Sequence, residues 1–224
     1  MTTDIARAQE SAFTASLDAI LAHHRAFMTH ATLISDTGPT AVGAFVNHSV
    51  IYPLPNSNAP VIGLNRQFPD APDRMRRIWG ELLEQLNVLQ RKTSDNAQET
   101  TRQFGKDGDQ TAWRRSMGDL KRELAERADR TIGDSCGAAQ KLARDNPKWG
   151  DYILSWAATV VNFATNVLAA AINLLTYAVN SGAKQPDRTV QTIEGFFVHS
   201  CANVDHWVFS HLVVIERPES VAVS

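Results

Sequence analysis

Four residues late in the chain, His199, Cys201, Asp205 and His206, are the tightest grouping of side chains able to hold a metal ion. Imidazole nitrogens, a thiolate and a carboxylate are all zinc ligands, but a site needs them to converge on one point. On a helix, Cys201 and Asp205 share one face, while His199 and His206, seven residues apart, share a neighbouring one. The set does not converge, and no pair of Cys-x-x-Cys units supplies a structural zinc site. His23 and His30 offer the same chemistry more weakly. The expectation is no metal and no cofactor.

Cys136 sits in Gly133-Asp134-Ser135-Cys136-Gly137. A thiol nucleophile needs a base and an electropositive setting, and the sequence places neither beside it. No Gly-rich phosphate loop, nucleophile elbow or zinc-protease helix motif occurs, so no catalytic residue is assigned. Arg74, Arg76 and Arg77 could contact a phosphate or another anion. They and the pairs Arg114-Arg115 and Lys121-Arg122 are interleaved with Glu81, Glu84, Asp119, Glu123 and Glu126 at one-turn spacing, which suits solvated intrahelical pairs better than a nucleic-acid track.

Composition agrees with that reading. The 224 residues carry a net charge of −2, with 43% hydrophobic and 21% charged residues, which indicates a folding chain and gives no global reason to expect nucleic acid. Residues 61–148 hold 17 basic against 14 acidic residues, between acidic flanks. Two cysteines are too few for a disulfide-stapled scaffold, and the first ten residues lack the basic start and apolar run of a signal peptide. A cytoplasmic location is expected; export by a non-classical route would leave no readable signal.

The elements that position these residues read as helices. Phe13, Leu17, Ile20, Leu21, Phe27, Met28, Ala31 and Ile34 recur at three- and four-residue spacing within a first helix, residues 1–38. Residues 39–71 form a Pro-rich connector, in which 44–52 and 61–64 could pair as a short β-hairpin. Residues 72–146 read as a long, charged helical hairpin. Its first arm carries the seam Met75, Trp79, Leu82, Leu86, Leu89, which weakens beyond Arg91; its second carries Trp113, Met117, Leu120, Leu124, Ala128, Ile132. Phe104-Gly105 and Asp107-Gly108 mark the turn between them. Trp79, Leu82, Leu86, Trp113, Leu120 and Leu124 are the expected interaction face. A C-terminal apolar helix over 186–217 follows Pro186, its Val213–Ile215 end able to be extended instead.

Between them, residues 147–183 form a charge-free helix: Tyr152 to Ala183 contains no Asp, Glu, Lys or Arg. It is long enough to cross a bilayer. Ser155, Thr159, Asn162, Asn166, Asn173, Thr176 and Asn180 nevertheless fall on one stripe, with Ala169 in its single gap, and amides in hydrocarbon need partners. A central core helix whose stripe meets water or another helix accounts for both features. Trp149-Gly150 at the entry of a central apolar helix ringed by amphipathic ones resembles the arrangement in apoptosis regulators and pore-forming colicin domains. That resemblance covers one dipeptide and a helix count. It implies a helix that inserts into membrane after a conformational change. The second member of a buried apolar hairpin is absent, because the last segment carries His199, Asp205, His206 and His211.

The sequence therefore specifies one all-α domain, residues 1–224, a bundle of about five helices. Its expected function is non-enzymatic: binding a protein partner or self-association, with nucleic acid not indicated. The alternative is a membrane-inserting or pore-forming protein that uses residues 152–180, with Asn162, Asn166 and Asn173 as its polar stripe. A helical enzyme of unassigned class comes third.

Overall fold

The computed structural model describes residues 2–33 and 72–211. Within them lie five long helices: α1 (Thr2–Leu33), α2 (Pro72–Asp107), α3 (Gln110–Asp145), α4 (Gly150–Ser181) and α5 (Pro186–His211). No strand occurs among the described residues, and the expected connector, its hairpin and the Val213–Ile215 end lie outside them. The protein is an all-α bundle.

The turn between α2 and α3 is shorter than the Gly residues of the sequence suggest. Gly105 stays helical, and the chain reverses at Gly108, whose φ of +72° is a conformation that side chains disfavour. Asp109 caps α3 by accepting from the Ala112 N–H at 2.9 Å, and the Asp109 N–H donates to the Asp107 carboxylate at 2.9 Å. That bond, helped by one from Gln103, holds the Asp107 carboxyl below its ordinary range. Phe104 and Trp113 stack across the reversal with centroids 4.5 Å apart. At the other end of α3, Asn146 closes the helix and Pro147–Trp149 makes a single 3₁₀ turn into α4.

Side-chain contacts fix the helix directions. Glu10 meets Arg144, Thr14 meets Gln140 and Arg25 meets Asp129, so α1 and α3 run antiparallel. Phe13 lies beside Gly150 and His24 beside Thr165, so α1 and α4 run parallel. Pro186 packs on Gly105 and Asp205 on Asn87, so α5 returns antiparallel along α2. Helix α4 touches each of the other four, most extensively α1 and α3. Its Ile153, Val160, Leu168, Ile172 and Leu175 are fully buried, which is where a helix without charge beyond Asp151 must put its apolar surface.

Candidate functional site

The expected interaction face is largely occupied inside the bundle. Trp79, Leu82 and Leu124 have no exposed surface, and Leu86 and Trp113 almost none; Leu120 alone stays half-buried at the rim. The seam that weakens after Arg91 in fact continues in polar form. Asn87, Gln90, Thr93, Ser94, Gln98 and Thr101 are buried along α2, against α5 and α3. Ser200 donates to Gln90 Oε1 at 2.6 Å, Asn87 Nδ2 to Asp205 Oδ1 at 2.6 Å, and Gln98 Nε2 to Ser94 Oγ at 3.1 Å. Hydrophobic periodicity passes over such a helix contact because its residues are small or amidic.

The four candidate ligands separate. Cys201 is buried against the Asn87 carbonyl, Asp205 binds Asn87 and faces Arg91 at 3.8 Å, and His199 and His206 are exposed. Among the described residues no three His, Cys, Asp or Glu side chains lie close enough together to hold a metal ion. A groove of about 370 Å³ beside them is lined by Arg91, Gln98, Phe197, Val198 and Cys201. Burial pushes the Cys201 thiol up, and it pushes Cys136 up to about 12, the reverse of an activated nucleophile. Of the arginines, Arg74 and Arg77 are exposed, while Arg76 is bound to Asp73 at 2.7 Å.

Two sites on α4 remain. The first is the amide stripe. Asn162, Asn166 and Asn173 are half-exposed, as are Ser155 and Thr159, whereas Ala169 and Thr176 are buried. Thr176 accepts from Lys121 Nζ at 2.9 Å, and burial lowers the pKa of that ammonium. The stripe is interrupted at Ala169 and Thr176 and continues to exposed Asn180, with Ala170 and Tyr177 half-exposed beside the interruptions. Among the described residues the side chains of Asn162, Asn166 and Asn173 make no hydrogen bond to the protein. Phe163 and Val167 lie half-exposed alongside, Phe163 stacked on Trp207 of α5 at 4.9 Å.

Comparison with protein-family models, curated proteins and solved structures finds no match.

The second site is a polar layer at His24. His24 is 1% exposed, fills the seam position between Ile20 and Met28, and places Nδ1 2.7 Å from Thr165 Oγ1. The Thr165 hydroxyl already donates to the Val161 carbonyl at 2.6 Å, so it must accept from His24. This places the proton on Nδ1 and a bare lone pair on Nε2, which has no hydrogen-bond partner and faces Asp129 Oδ1 at 4.0 Å. The same oxygen accepts from Arg25 Nε at 2.8 Å. Desolvation lowers the His24 pKa to about 4, against an opposing pull from Asp129. The sequence reading passed His24 by in favour of His23 and His30. The available signal was its spacing, four residues from both Ile20 and Met28.

Proposed function

We propose that this chain is a non-enzymatic helical assembly module that associates with a second copy of itself through the exposed face of α4. The half-exposed amides of Asn162, Asn166 and Asn173, unpartnered among the described residues and set on a helix without Asp, Glu, Lys or Arg beyond Asp151, carry this reading. A carboxamide both donates and accepts, so a stripe of amides complements itself across a two-fold axis. No like charges oppose each other there, and Phe163 and Val167 add apolar area at the edge. Light scattering on the eluting protein should give a mass that rises with concentration toward twice that of the chain. Asn166→Lys, which sets two ammonium groups face to face, should weaken association at least about tenfold. A wild-type mass fixed at one chain over the whole concentration range would refute self-assembly.

A second reading, membrane insertion, is favoured by one observation. The 34-residue stretch Pro147–Asn180 has a window of mean hydropathy 1.6, and 61% of that window is buried in the bundle. If α4 acts in lipid, wild-type protein should release dye from liposomes. Replacing Asn162, Asn166 and Asn173 together by leucine should then abolish release while lipid binding persists. Intact vesicles in the presence of wild-type protein would exclude this reading and leave the assembly reading standing.

A further inference from the structure

His24 is the one ionisable side chain of α1 that the bundle buries completely among the described residues, and it lies where α1, α3 and α4 meet. The charged and titratable groups around it are few. From its own helix come His23 and Arg25, and Arg25 in turn interacts with Asp18. Helix α3 contributes Asp129 and, near Arg25, the buried thiol of Cys136. Helix α4 contributes only the Thr165 hydroxyl, since no Asp, Glu, Lys or Arg occurs between Tyr152 and Ala183.

Because Thr165 must accept, Nδ1 keeps its proton and any further proton has to enter at Nε2. Among the described residues the only anion there, Asp129 Oδ1, is already held by Arg25 and lies beyond hydrogen-bond distance of Nε2. An imidazolium would therefore be a second cation competing for one carboxylate, in a position closed to water. Moving α1 away restores hydration to the ring and leaves the Arg25–Asp129 pair free to re-form in solvent. The face of α4 that carries Thr165 also carries Val161 and Leu168, both buried, so such a movement uncovers apolar surface.

We infer that His24 is a proton-operated latch: neutral, it holds α1 on the charge-free helix, and protonated at Nε2 it releases α1 and exposes the face of α4 around Thr165. This latch is separate from the amide stripe and stands whether or not the protein self-associates. The sign follows from the depressed pKa. Between about 4 and the unfolded value of 6.5 the closed state binds fewer protons than the open one. The latch is accordingly intact above pH 6.5 and weakens as pH falls toward 4.

Amide hydrogen exchange on the full chain, corrected for intrinsic rates, tests this. Protection in residues 10–31 and 157–168 should fall by up to about 80-fold between pH 6.5 and 4 while the α2–α3 hairpin stays protected. His24→Gln, which cannot titrate, should leave protection in those segments flat over the same range. Should that variant fail to fold, nitrogen-15 spectra of the wild-type imidazole provide the second reading, with Nδ1–H expected at neutral pH and loss of α1 protection tracking its titration. The inference is overturned by unchanged wild-type protection, by an equal fall in His24→Gln, by opening of the hairpin along with α1, or by an Nε2–H tautomer.

Discussion

Replacing Leu82 by aspartate should unfold the bundle or cost it about 4 kcal/mol or more, whereas the same change at Leu120 should cost less than about 2 kcal/mol. Both leucines occupy seam positions of the hairpin, and the sequence alone gives them equal weight. Leu82 has no exposed surface, so a carboxylate there would be cut off from water. Leu120 is half-buried at the rim, where a carboxylate can turn into solvent. Urea melts of the two variants separate these cases directly. Equal effects would mean that the buried face of α3 is rotated from where the bundle places it.

Trp113→Ala should cost about 3–5 kcal/mol, because the indole is 2% exposed and its removal opens a cavity at the hairpin reversal. Part of the loss is the stack on Phe104, where the rings lie 8° from parallel, worth about 0.5–1.5 kcal/mol. Trp113→Phe should recover most of the stability. It keeps a ring on Phe104 and gives up the volume of the second indole ring together with the 3.3 Å bond from Nε1 to the Thr101 hydroxyl, which itself donates to the Ala97 carbonyl and so is not left bare. Thermal melts should rank wild type, then Trp113→Phe, then Trp113→Ala. A smaller loss for alanine than for phenylalanine would show that the stack does not hold the reversal.

Elements with apolar periodicity were legible from the residues, and contacts made by polar groups were not. The seam from Met75 to Leu89 and the charge-free run after Tyr152 each specify a helix and its buried side. They do not say which helix buries them. Trp79, Leu82 and Trp113 therefore read as a face for a partner, although it is the other helices of the same chain that cover them. Beyond Arg91 the pattern reads as a weakening, because the buried residues Thr93, Ser94, Gln98 and Thr101 lack the hydrophobic signature, and just before it the amides Asn87 and Gln90 make the hydrogen bonds that join α2 to α5. His24 was missed for a related reason: its spacing from Ile20 and Met28 marks a buried position, but what an imidazole does there depends on Thr165 and Asp129, which are distant in sequence and are brought to either side of it by the fold. The amide stripe was readable as a stripe, but its interruption at Thr176 depends on Lys121, which the fold brings from α3.

The proposed assembly through α4 makes a positional claim, which cysteine trapping tests most directly. The two native thiols, Cys136 and Cys201, are free but buried, and a Cys136 pKa pushed up to about 12 keeps it from competing. Single cysteines at Asn162, Asn166 and Asn173 report on the stripe, and one at exposed Glu84 on α2 reports on random collision. Under mild oxidation, at least one stripe position should give a covalent dimer rapidly and in high yield, while Glu84→Cys should give little. Equal cross-linking at Glu84 and at the stripe, or none at any stripe position, would contradict self-assembly through this face.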